Sequence, residues 1–371
     1  MDYERRKQKL IEDRKKKSAV VDLPSIFREH GLPYLPAKSL HRFKSVCSIW
    51  KFWIGNPFFS HRQSYSFRAL SGVFYQNLSS LADSPRFLSL DPSAYGVPDP
   101  SLGFLPEPVR LKQSSSGMVC CWSPQSNTLY VCNPVSRQWR AIPKSPREHG
   151  RDPDVVLKLE PGSFNFDAEF EIICTFASSE GEREFDIFSS KSNSWKLSRE
   201  LMMQDYAWKS VRGTGGTTTV GVYANKVAYW RMHEGCYLLA FDFVKERASL
   251  VRNPEASGRL GELGGELCHA VCHSGKLALR LLSSPSSGWS KPAEVSLHNV
   301  APGLPRNEGQ VLAIQGEDVV VYVDGRILKY NTISGSFTIQ ELPGAVDEAG
   351  NLLLNATVHL PYINTLVPLL N

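Results

Sequence analysis

The sequence predicts a helical module of about 40 residues followed by an all-β body of about 300, closed as a six-bladed β-propeller with seven blades as the alternative. Three observations carry this expectation. Short apolar helices punctuated by prolines fill Val21 to Phe59. Beyond Tyr65 the chain changes to short β-type runs separated by turns rich in Gly, Pro, Ser and Asn. Within that region a hairpin pattern returns at the spacing of propeller blades.

Ahead of both parts lies a basic arm, residues 1–20. Its first 17 residues hold eight basic and four acidic side chains, so +4 of the net charge of +5 sits there and the rest is nearly neutral. A solvated, flexible tail is the expected state, and the two basic clusters also suit a nuclear-import patch. Nucleic-acid binding ranks below both, because the body carries almost no net charge for phosphate to meet. No run approaches the roughly 20 apolar residues of a membrane span, and the arm lacks the apolar core of a secretion signal. Eight cysteines in 371 residues read as reduced thiols of a cytoplasmic or nuclear protein, not as a disulfide framework.

The helical module is expected over 21–60 as three helices. Asp22 can cap the first, with Pro24 near its start and Ile26 and Phe27 in its second turn, and Gly31 and Pro33 stop it early. The second starts at Pro36 and sets Leu40, Phe43 and Val46 three apart on one stripe. The third carries Trp50, Trp53 and Ile54 before Asn56-Pro57 breaks it. A unit this small buries its apolar surface poorly by itself and needs a partner.

The β body is expected over 65–371. Leu129 to Trp139 matches Phe185 to Trp195 in register: a strand, a polar turn, then a Trp opening the next strand. Ile327 to Phe337 repeats it with Phe in the Trp place, and more degenerate copies run from Leu279 to Trp289, around Ala240 to Ala248, and from Phe87 to Val97. The Trp-equivalent positions 97, 139, 195, 248, 289 and 337 are separated by 42, 56, 53, 41 and 48 residues. Each unit is then a small sheet stable only between neighbours, with the large ring filling the gap between blades. The apolar segment Asn355 to Leu370 is expected to add a strand to the blade begun near Phe87, closing the ring.

Leu23-Pro24, then Leu35-Pro36-Ala-Lys-Ser-Leu40-His-Arg-Phe43-Lys-Ser-Val46-Cys47-Ser-Ile-Trp50, resembles the F-box of plant F-box proteins, agreeing at every anchor. Ser66-Phe67, Asn133-Pro134, Gln138-Trp139 and Pro361 to Leu366 resemble the β-rich domain associated with it in that family, often described as kelch-like. The resemblance implies a receptor subunit of a Skp–cullin–F-box ubiquitin ligase, docking a Skp-type adaptor and, through it, cullin. Carried over by position, the adaptor contacts are Leu23, Pro24, Leu35, Pro36, Leu40, Val46 and Trp50, while Phe43 and Trp53 are assigned to the module's own core. The family usually continues the first helix where this chain has Gly31-Leu32-Pro33, which bears on adaptor affinity.

Other chemistry finds little support, so no catalytic residue, metal or cofactor is expected. Cys268-His-Ala-Val-Cys272-His273 offers two thiols and two imidazoles, but strand alternation sends thiols and imidazoles to opposite faces; buried thiols and exposed imidazoles are expected. Cys120-Cys121 diverges in the same way. Gly213 to Thr219 lacks the ending of a phosphate-binding loop, and serine-elbow and zinc-helix motifs are absent. The target protein is unknown; Tyr206, Trp208 and Arg212, between strands, are the candidate contacts. The rival reading is a propeller enzyme or small-ligand sensor with its site in the central channel.

Overall fold

Helices come first in the computed structural model, which describes residues 23–78, 83–91, 96–160, 168–177, 183–198, 220–232, 235–297, 309–323, 325–341 and 358–369. They are α1 Leu23–His30, α2 Ala37–Phe43, α3 Ser48–Ile54 and α4 Pro57–Ser66, with a 3-10 turn at Leu32–Tyr34. α1 ends where Gly31 and Pro33 require: the Gly31 N–H still reaches Phe27 O at 2.9 Å, and the chain then tightens. The fourth helix exceeds the expected three. Asn56-Pro57 does end α3, but Asn56 Oδ1 accepts the N–H of Phe58 at 2.9 Å and Pro57 fills the first helical position, so the same pair starts α4.

Six antiparallel sheets follow. The first is begun by β1 Gly72–Gln76 and β2 Arg86–Ser89. Four-stranded blades are then formed by β3 Arg110–Ser115, β4 Met118–Ser123, β5 Thr128–Asn133 and β6 Gln138–Ala141; by β7 Asp154–Lys158, β8 Glu171–Ala177, β9 Arg183–Ser189 and β10 Ser194–Leu197; and by β11 Val222–Ala224, β12 Val227–Arg231, β13 Tyr237–Asp242 and β14 Arg247–Arg252. Two more comprise β15 Arg259–Leu263, β16 Glu266–His273, β17 Lys276–Leu282 and β18 Ala293–Ser296, and β19 Gln310–Gln315, β20 Asp318–Val323, β21 Arg326–Asn331 and β22 Phe337–Glu341. The last strand, β23 Val358–Tyr362, returns to pair with β1, Phe74 opposite Leu360, and completes the first blade as its innermost strand. The ring therefore closes by joining the two ends of the β body in one blade.

The hairpin repeat has a backbone cause. Asn133, Asp242 and Asn331, each six residues before a Trp-equivalent position, accept turn N–H groups through their side-chain oxygens. Arg137, Asn193, Glu246 and Gly335, each two residues before it, take positive φ between 49° and 66°. The rings divide between two roles. Trp195 Nε1 donates to Pro143 O at 2.7 Å and Trp289 Nε1 to Arg252 O at 2.8 Å, so each reaches back to the preceding blade as expected. Trp139 instead lies on the outside, 40% exposed and edge-on to Tyr130 of its own hairpin. The expected copy from Phe87 to Val97 is no hairpin: Phe87 lies on β2, and Val97 follows in coil.

Both faces of each blade are covered, so alternation of polar and apolar residues is lost on the inner strands. β4 is buried at every position. Cys120 faces the layer shared with β8, beside Ile172 and Cys174, while Cys121 faces the layer containing Phe74, Leu360 and Tyr362. The same arrangement corrects one expectation: His273 is exposed, but His269 is buried, with Nε2 2.8 Å from Ser257 O and its ring edge-on to Trp289.

Helices and propeller share one core. Leu32, Ala37, Leu40, Ile54 and Phe59 pack in the same cluster as Phe74, Leu105, Leu111 and Tyr362. The segment after β23 ties them together. Ser71 Oγ accepts the N–H of Asn364 at 3.0 Å, Gln63 Oε1 on α4 accepts that of Leu366 at 3.2 Å, and Asn133 Nδ2 donates to Val367 O at 2.9 Å. Gly117, at φ +86°, turns β3 into β4 directly beneath Thr365, where a Cβ would overlap the threonine side chain.

Candidate functional site

α3 reads Ser-Ile-Trp-Lys-Phe-Trp-Ile, apolar almost all the way round. Its inward face carries Trp50, Trp53 and Ile54. Ile54 is fully buried, and Trp50 packs against Phe27 and Phe43 with ring centroids 5.7 and 5.1 Å away. Trp53 lies under the Arg28 guanidinium, 5.3 Å from its centroid. The outward face is equally apolar: Ile49 is 56% and Phe52 71% exposed, and Val46, three residues before Ile49, is 62% exposed. Ile26 and Phe27 on α1 are exposed as well. A helix apolar on every side is normally enclosed on every side, so this half-covered one presents a ready-made docking face.

The seven adaptor contacts carried over from the resemblance do not share that face. Leu40 and Pro36 are buried, Leu40 fully, in the core joined to the propeller. Leu35 is half-buried against that core, and its carbonyl accepts from Gln63 Nε2 at 3.2 Å. Trp50 is half-buried, and Val46 is exposed. Leu23 and Pro24 belong to α1, but their side chains lie outside the described residues. Phe43 and Trp53 pack against the core cluster. The exposed apolar side chains of the module include Ile26, Phe27, Val46, Ile49 and Phe52, of which only Val46 was among the carried-over adaptor contacts. The signal was present in the unbroken apolar run of α3, whose outward half has no place in a core.

Two basic groups sit at the end of α2. Burial lowers the Lys44 ammonium pKa, and burial with the Lys44 charge lowers that of His41, so the imidazole favours its neutral form.

At the propeller axis lies a cavity of about 530 Å³, lined by the inner strands and by Ser64, Phe67 and Arg68 at the end of α4. Arg259 at the start of β15 donates from Nη2 to His359 O, and Arg231 at the end of β12 donates from Nη1 to Ala256 O and Gly258 O at 3.1 and 3.0 Å. Gly261 allows β15 to approach β19 here; a Cβ on it would overlap Ile314.

One cluster gathers a serine, a histidine and an aspartate. Ser145 Oγ and His149 Nε2 both meet Asp186 Oδ2, at 2.8 and 2.7 Å. Hydroxyl and imidazole thus share the carboxylate instead of meeting each other, so the serine has no base at hand. With His149 tilted over Phe176 and edge-on to Trp195, Asp186 anchors the segment between β6 and β7 to the next blade. Arg147 pairs with Glu184, so that carboxylate is engaged between blades. Among the described residues no group of His, Cys, Asp and Glu gathers to hold a metal ion. Tyr206, Trp208, Arg212 and the Gly213 loop lie outside the described residues.

Residues 107–264 match the family described as F-box associated beta propeller domain, from just before the second blade to the first strand of the fifth. F-box protein At5g49610 of Arabidopsis thaliana is 28% identical over 267 residues, covering 68% of this chain and 70% of that one. F-box protein ETP2 of the same plant is 23% identical over 260 residues, covering 64% and 63%. A chain of the nidogen/laminin complex aligns with 79% of this chain and 99% of its own length at 7% identity and a TM-score of 0.42. With four short helices leading into six blades, this chain is similar to the plant F-box proteins and, over residues 107–264, to the F-box associated β-propeller domain.

Proposed function

We propose that this chain is a non-catalytic substrate receptor of a Skp–cullin–F-box ubiquitin ligase, the helical module docking the Skp-type adaptor and the propeller holding a target protein. The observation that carries the reading is α3, with one face sealed into the propeller core and Val46, Ile49 and Phe52 left outside. Exposed aromatic and aliphatic side chains on a rigid support are the anchors that dominate protein interfaces. The shared core adds a mechanical consequence. A target held on the propeller would be carried at a fixed orientation to the adaptor, so its lysines would be presented at high effective concentration to the charged conjugating enzyme. No bond chemistry is asked of this chain.

The test is co-purification of a Skp-type adaptor with the full chain and with Ile49→Asp/Phe52→Asp protein, checked for folding by its melting transition. Loss of the adaptor from a folded variant supports the reading. Retention of the adaptor by that variant overturns the assigned face, and failure of the wild-type chain to take up any Skp-type adaptor overturns the function.

A further inference from the structure

The central cavity carries a charge imbalance that the receptor role does not use. Among the described residues its lining holds Arg68, Lys226, Arg231 and Arg259 against Glu160 and Glu262. Both carboxylates are already engaged. Glu262 accepts from Gln315 Nε2 and the Gly316 N–H through Oε2 and from the Gly265 N–H through Oε1, while Glu160 accepts the Tyr223 hydroxyl. Glu262 also lies three residues along β15 from Arg259, about 10 Å away in an extended strand. The other end of the cavity is therefore cationic.

There, among the described residues, the two arginines find carbonyl oxygens but no carboxylate. Nε and Nη2 of Arg231 are shielded from water and have no acceptor among the described residues. Among the described residues Arg259 bonds to His359, through its carbonyl and, at 3.4 Å, its Nδ1. Burial lowers the pKa of both guanidinium groups, that of Arg259 to about 10 with the Arg231 charge adding to the effect. Two like charges desolvated side by side are costly unless an anion compensates them. A cavity of this volume is of the size that holds a small molecule.

We infer that the Arg231–Arg259 end of the propeller channel binds a small organic oxyanion, carboxylate or phosphate, lodged against Arg259 with Arg231 behind it. The anion completes the charge balance of the channel and tightens the closure between β15 and β23, since Arg259 already holds His359 of the closing strand. The site is independent of the helical docking face, so adaptor binding by the ligand-free chain is unaffected.

The test is thermal melting of the full chain in sodium succinate, sodium acetate, inorganic phosphate and sodium chloride at matched ionic strength. A saturable rise of about 2 °C or more over chloride at about 50 mM is expected for one oxyanion class, as mass action requires of a ligand that binds only the folded state. Succinate and acetate acting together assign a carboxylate; phosphate acting alone assigns a phosphate ester. Arg259→Gln should abolish the rise. Arg231→Gln should weaken the rise. Hydrogen exchange of the wild-type backbone over residues 256–260 should slow with the active anion, a reading that needs no variant. No response beyond chloride, or a full response in both variants, overturns the inference.

Discussion

Asn133 on β5 donates a hydrogen bond to the carbonyl of Val367, 234 residues further along the chain. The same amide reaches Thr365 O at 3.3 Å, and its oxygen accepts the N–H of Val135. One side chain therefore shapes its own hairpin turn and holds the segment that closes the ring. Asn133→Ala removes all of these bonds at a fully buried position and leaves two carbonyls without their donor, a loss of about 2–3 kcal/mol. Chemical denaturation should show the lower midpoint, and limited proteolysis should cut first near the C-terminus.

Gly261 makes a second prediction at the axis. Because a Cβ there meets Ile314 across the gap between two blades, Gly261→Ala must push β15 away from β19. Overpacking of this kind costs about 1–3 kcal/mol. The melting temperature should fall, and adding Ile314→Ala should recover none of the loss, because the overlap is with the Cβ and carbonyl of residue 314, which alanine keeps.

The pH dependence of stability follows from His269. Burial is the main cause lowering its pKa, with the Arg231 and Arg280 charges acting the same way against the Ser257 carbonyl. An imidazole held neutral in the fold takes up its proton more readily in the unfolded chain. Stability from this group is thus complete above the ordinary histidine pKa of about 6.5 and is lost as pH falls through the lowered folded value. Melting temperatures should decline between pH 7 and pH 5, less steeply in His269→Gln.

The thiols give a third check on burial. Cys47 and Cys236 are exposed and the other six cysteines are buried. Desolvation pushes the Cys120 and Cys268 thiols up to about 12. Thiolate is the reactive form, so a disulfide reagent should modify two cysteines quickly in the native protein and the remainder only on unfolding. Fast reaction at Cys268 would contradict the closed blade packing.

Much of this architecture is legible in the sequence because propeller hairpins are local. The Asx-type turn before Trp139, its relatives ending at Trp195 and Phe337, and the apolar closing segment at 355–370 all lie within short windows. Errors arise where burial is decided by parts of the chain far apart. Strand alternation placed His269 outside, but a blade has neighbours on both faces. Leu40 and Pro36 are adaptor contacts by the resemblance, and their burial in the core shared with the propeller depends on residues that the first 60 give no hint of. Asn56-Pro57 was legible as a break and not as a start, since the same two residues end one helix and cap the next. The meeting of Arg231 and Arg259 has no sequence signal, as they come from different blades.

The central claim is tested most directly by titrating a purified Skp-type adaptor into the full chain and measuring the heat of binding. Saturable binding that Phe52→Asp weakens at least tenfold, with Leu197→Asp on the propeller surface as an unaffected control, is the predicted result. Equal affinity for the wild type and Phe52→Asp, with both folded, would contradict the account.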